Sequence, residues 1–146
     1  MENKDIRWEQ RFANFKKALG KLGEVAAHKS IDELSELEKE GLIQRFEYTY
    51  ELAWKTLQDL LLEKGYLDIS GPNPVIEQAF KDGYMKHSEA WKKMKQARNL
   101  TSHTYNSETA EDIAESIIVS YYDLFIELEE RLEEERSGRQ SNLFDK

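Results

Sequence analysis

The segment Arg98-Asn99-Leu100-Thr101-Ser102-His103-Thr104-Tyr105 places a guanidinium, an imidazole and a phenol within one short stretch. Those groups suit one chemistry in particular. Cutting RNA without a metal requires a group that titrates near neutrality, to move the proton of the ribose 2′-hydroxyl or of the leaving 5′-oxygen. It also requires a cation to stabilise the charge of the phosphorane. His103 fits the first role and Arg98 the second, while Tyr105 offers a hydroxyl that can accept a modification. Asn99 stands four residues before His103 and Ser102 four after Arg98, the spacing at which helical side chains meet, so each can support one member of the pair.

An offset of five residues is about 500° of α-helix, so Arg98 and His103 would point roughly 140° apart on an uninterrupted helix. Either the helix ends near Thr101 and the chain swings His103 back, or two copies of the chain combine these side chains across a symmetric interface. A plainer alternative has Arg98 paired with an acid of the last helix and His103 merely ending a helix. Spacing alone does not choose, because Arg-x4-6-His recurs by chance in chains of this composition.

Charge supplies context. The formal net charge of −8 counts against a phosphate-rich partner, whose binding depends on Lys and Arg. The distribution is uneven, however. Between Tyr84 and Asn106 stand Lys86, Lys92, Lys93, Lys95 and Arg98 against Glu89 alone, whereas from Ser107 to Glu135 Arg131 is the only cation in an acidic run. Lys92, Lys93 and Lys95 are therefore candidates for contacting RNA, with a solvated helix face as the competing explanation.

Other chemistries find little support. The three histidines, His28, His87 and His103, lack metal-ligand spacing, and no cysteine is present, so neither a metal nor another cofactor is expected. There is no glycine-rich phosphate loop and no G-x-S-x-G turn. Glu47, Glu51, Lys55 and Asp59 read as an i,i+4 ladder on a helix surface. With no disulfide, no apolar run approaching the roughly 18 residues of a membrane helix, and the start Met1-Glu2-Asn3-Lys4-Asp5, the expectation is a cytoplasmic protein without a membrane partner.

The elements that must position these side chains are helices. Both prolines fall in Gly71-Pro72-Asn73-Pro74, and long apolar patterns of period 3.6 predict an all-α chain forming a single domain over residues 1–146, with a flexible tail at 137–146. The first helix is expected from about Arg7 to Ala27, with Trp8, Phe12, Phe15, Leu19, Leu22 and Ala26 on one stripe. After an ambiguous acidic stretch, a strong helix should run from about Gly41 to Lys64 and stop at Gly65. Asn73 can cap a short helix opening on Pro74, and Ser88 can cap the next. The last helix should run from about Thr109 to Glu135 on Ile113, Ile117, Tyr121, Leu124, Leu128 and Leu132. Tyr48, Leu52, Ile118, Tyr122 and Phe125 fall off the stripes of the two longest helices, and this surplus predicts a homodimer.

Two blocks, Gly41-Leu42-Ile43-Gln44-Arg45-Phe46-Glu47-Tyr48-Thr49-Tyr50-Glu51-Leu52-Ala53-Trp54-Lys55-Thr56-Leu57 and Arg98 to Tyr105, carry a resemblance that runs from about Ile6 to Glu135. The chain resembles the HEPN-domain proteins described as substrate-binding subunits of minimal nucleotidyltransferases and as toxins of HEPN/MNT toxin–antitoxin pairs. The resemblance implies an up-and-down bundle of four to five helices, paired as a homodimer, with Arg98 and His103 of both chains lining a cleft that cuts RNA without metal. It further implies a minimal nucleotidyltransferase antitoxin that neutralises this endoribonuclease toxin by transferring AMP to Tyr105. The alternative it carries is a non-catalytic substrate-binding subunit of a two-component nucleotidyltransferase. A purely structural helical dimer is a third reading.

Overall fold

The computed structural model describes the backbone of residues 7–103 and 106–144 and the side chains of those residues up to 138. All regular elements among them are helical: α1 (Arg7–Ala26), α2 (Glu36–Glu63), α3 (Pro72–Lys81), α4 (Ser88–Leu100), α5 (Ser107–Ser116) and α6 (Tyr122–Phe144). Short 3-10 turns cover Ile31–Glu33 and Thr101–His103. A π-helical turn, Ile117–Tyr121, joins α5 to α6.

Local chemistry sets the boundaries. Helix α2 begins at Glu36, earlier than the apolar pattern suggests, because Ser35 and Glu38 close a reciprocal capping box: the Glu38 amide donates to Ser35 Oγ (3.1 Å) and the Ser35 amide to Glu38 Oε1 (2.8 Å). Gly65 ends it as expected, with φ +106°. Helix α3 opens on Pro72 rather than Pro74, and its N-cap is Gly71 rather than Asn73. The Val75 amide reaches the Gly71 carbonyl, and two prolines in the first turn lack only amides that would have had no helical partner. Ser88 is the first residue of α4 rather than its cap. That place belongs to His87, in the left-handed region at φ +67°, whose carbonyl accepts from the Trp91 amide.

The bundle is held by an aromatic core. The α1 stripe is buried, and Trp8, Phe12 and Phe15 stack in succession. Phe46 of α2 stacks on Tyr121, with ring centroids 5.6 Å apart. Phe125 of α6 sits among Phe15, Phe46 and Trp91, with centroids 5.8–6.1 Å away, so one ring ties α1, α2, α4 and α6 together. Helix α1 approaches α6 closely at Gly23, where a Cβ would lie 2.7 Å from the Tyr122 hydroxyl.

Most of the apolar surplus read as an outer face packs inside this chain instead. A π-helical turn takes in an extra residue and rotates the helix beyond it, so α6 buries Phe125 along with the expected Leu124, Leu128 and Leu132. Leu52, Ile118 and Tyr122 pack partly against the same core. Tyr48 alone of the five stays exposed, at 62%. Helix α6 also continues to Phe144, beyond the stop expected near Glu135. No described helix is long and apolar enough to cross a membrane.

Candidate active site at the end of helix α4

Helix α4 delivers Arg98 to α2 in its last turn and then tightens into the Thr101–His103 turn. Glu47 and Glu51, one turn apart on α2, face the guanidinium: Arg98 Nη1 lies 3.6 Å from Glu47 Oε2, and Arg98 Nε 3.3 Å from Glu51 Oε2. The second contact is an ion pair outside hydrogen-bond geometry, so the buried Nε makes no hydrogen bond. Thr101 completes the cluster. Its buried hydroxyl accepts from Arg98 Nη1 (3.2 Å) and can donate its single proton either to the Glu47 carboxylate or to the Arg98 carbonyl (2.7 Å).

Two expectations are corrected here. The acids that hold Arg98 come from α2 and not from the last helix. Nor do Glu47, Glu51, Lys55 and Asp59 form a solvent-facing ladder. Glu51 also accepts from Trp54 Nε1 (3.1 Å), and Lys55 lies over the Trp54 ring, 5.8 Å from its centroid. Asp59 is buried and paired with Arg11 at 2.8 Å.

Tyr50 adds a group that sequence periodicity marks only as core. It is 2% exposed, and its hydroxyl has no hydrogen-bond partner. Burial pushes the phenol up to about 12, with the Glu51 charge acting in the same direction and Arg98 opposing it. It is therefore neutral near pH 7 and borders the Arg98 cluster on the core side.

The remaining described site candidates lie outside this cluster. His103 ends the 3-10 turn exposed, as does Ser102, and the hydroxyl that meets Arg98 is that of Thr101. Asn99 lies on the exposed side of α4. Lys92 and Lys95 line a groove between α3 and α4, of which Lys93 is not part. Tyr105 lies outside the described residues. Among those described, no group of three or more His, Asp or Glu side chains is arranged to hold a metal ion.

Helix α4 thus sets an arginine against two carboxylates of α2 and ends just before a turn that carries a histidine. The chain belongs to the nucleotidyltransferase substrate binding protein like family, whose pattern it matches over residues 10–134. The family resemblance carried by the two sequence blocks is thus borne out. Over 74 residues it is 31% identical to the Haemophilus influenzae protein named "Probable ribonuclease HepT", covering 48% of this chain and 51% of that one. The chain therefore spans about half the length of that curated relative. A crystal structure of a Thermus thermophilus protein is similar at a TM-score of 0.71 and 36% identity, covering 81% of this chain and 98% of that one.

Proposed function

We propose that the protein is a metal-independent endoribonuclease toxin of the HEPN class, acting as a homodimer and silenced by a minimal nucleotidyltransferase antitoxin. The observation that carries this reading is the order of groups at the end of α4. Arg98 is ion-paired with Glu47 and Glu51 of α2, and an exposed imidazole comes on the next turn. In the proposed reaction His103 takes the proton of the ribose 2′-hydroxyl as that oxygen attacks phosphorus. The bond to the 5′-oxygen breaks, that oxygen leaves with a proton, and a 2′,3′-cyclic phosphate remains. Arg98 stabilises the phosphorane charge. In a dimer the second copy would supply the opposite acid/base group, which removes the need for one chain to point both side chains to the same face.

Silencing is assigned to Tyr105. Its phenolic oxygen attacks the α-phosphorus of ATP in the partner's active site, pyrophosphate leaves, and the phenol proton is lost. The AMP group left two residues from His103 adds a negative charge that competes with RNA for Arg98.

The test is RNA cleavage by purified protein freed of its partner. Arg98→Ala and His103→Ala should each lose about 10²–10⁴-fold in rate. A mixture of the two variants should recover part of the activity if each cleft draws on both chains. Light scattering at micromolar concentration should give twice the 17.2 kDa chain mass. A monomer would defeat the shared cleft. Incubation with ATP, magnesium and the partner should add AMP mass to Tyr105 and not to Tyr105→Phe.

A second reading, a non-catalytic subunit that presents a substrate to the nucleotidyltransferase, is favoured by the engagement of Arg98 with Glu47, Glu51 and Thr101, which occupies the cation. Absence of RNA cleavage and of growth inhibition by wild type freed of its partner would support it over the first, whereas full activity of His103→Ala would only move the active site away from His103.

A further inference from the structure

The groove between α3 and α4 is a cavity of about 620 Å³, within the range of small-molecule sites. Its apolar wall includes Ile76 and Phe80, each packed against the core on one side and partly open on the other. The α4 wall supplies Lys92 and Lys95, together with the amides of Gln96 and Asn99. Lys81 adds a third cation from the end of α3, and Glu77 is the only acid among the described residues that line the groove. In a chain of net charge −8, that local excess of positive charge is an exception. Asn99 at the groove's end is followed by the site's 3-10 turn, and Lys95 precedes Arg98 by three residues, about 4.5 Å along the helix axis.

These features match the parts of an unpaired nucleotide one by one. An aromatic face can take a base by stacking, lysines can hold its flanking phosphates, and side-chain amides can donate to and accept from the base edge. A duplex keeps its bases stacked internally and cannot place one in such a groove. We propose that the α3–α4 groove is a base-binding subsite for single-stranded RNA, holding a nucleotide next to the scissile phosphate. This proposal rests on the endoribonuclease reading and names its substrate class.

Binding and cleavage separate the two claims. Fluorescence anisotropy of a labelled single-stranded RNA octamer is measured on the His103→Ala protein, so that cleavage does not intervene. Adding Phe80→Leu, which keeps apolar packing but removes the ring, should weaken binding at least fivefold, the low end for one stacked base. Lys95→Ala should weaken it several-fold as well, without touching the core, and Lys17→Ala on the exposed side of α1 should not. The same octamer as a duplex should bind more weakly and respond little to Phe80→Leu. If wild type cleaves RNA while Phe80→Leu and Lys95→Ala bind the octamer normally, the groove is not a nucleotide site. A change in oligomeric state with those variants would make it a subunit contact and overturn the proposal too. Groove-dependent binding without cleavage by wild type would overturn the nuclease reading instead and leave a single-stranded RNA site standing.

Discussion

Thr101 couples the two halves of the candidate site, because a single hydroxyl touches both Arg98 and Glu47. Thr101→Val keeps the shape and removes the buried hydroxyl, leaving the partly buried Arg98 and Glu47 each short of a hydrogen bond. Urea denaturation should show a loss of about 1–3 kcal/mol. Tyr50→Phe should behave in the opposite way. It deletes a buried hydroxyl that has no partner, so stability should hold or rise by up to about 1 kcal/mol. Of this cluster, Arg98 was legible in the sequence, because cation, imidazole and phenol crowd one segment. Its anchors were not. Glu47 and Thr101 are 54 residues apart, and an i,i+4 series of acids looks the same in sequence whether it faces water or a guanidinium.

Between elements, two contacts make sharp expectations. Gly23→Ala adds a methyl 2.7 Å from the Tyr122 hydroxyl, and overpacking of this kind costs about 1–3 kcal/mol. In a Tyr122→Ala background the same change should be neutral or stabilising, since alanine is the better helix former, and a double-mutant cycle by thermal melting measures the difference. Lys64 of α2 and Glu135 of α6 form the other contact, at 2.7 Å. Burial pushes Glu135 up, but the Lys64 hydrogen bond and the charges of Lys64 and Arg131 together hold it below its ordinary value of 4.5. Its contribution is therefore complete above about pH 4.5 and fades as acid titrates the lowered group. Glu135→Gln should lower the melting temperature by about 2–4 °C at pH 7, the upper end for a partly exposed pair, and by progressively less below about pH 4. Apolar periodicity made the helices themselves readable. The π-helical turn escaped it, because a rotated register and a second apolar face leave the same surplus at Phe125, and only packing tells them apart.

At the level of the whole molecule, an acidic chain that binds RNA must do so through a small basic area. Three groove lysines neutralising three phosphates of a single strand give a slope of about −2 in log affinity against log salt concentration. A titration of octamer binding from low to moderate salt measures that slope, and a much steeper one would place the contact on a larger surface. Net charge concealed this area, and the distribution along the chain revealed it. The convergence of α1, α2, α4 and α6 on Phe125 has a kinetic consequence as well. Its ring partners Phe15, Phe46 and Trp91 are distant in sequence, so these contacts close long loops, and the expectation is that they form late in folding. Phe125→Leu should therefore leave the refolding rate nearly unchanged and speed unfolding by roughly tenfold. The residue that fastens the bundle would then set how long a folded molecule lasts, more than how quickly one forms.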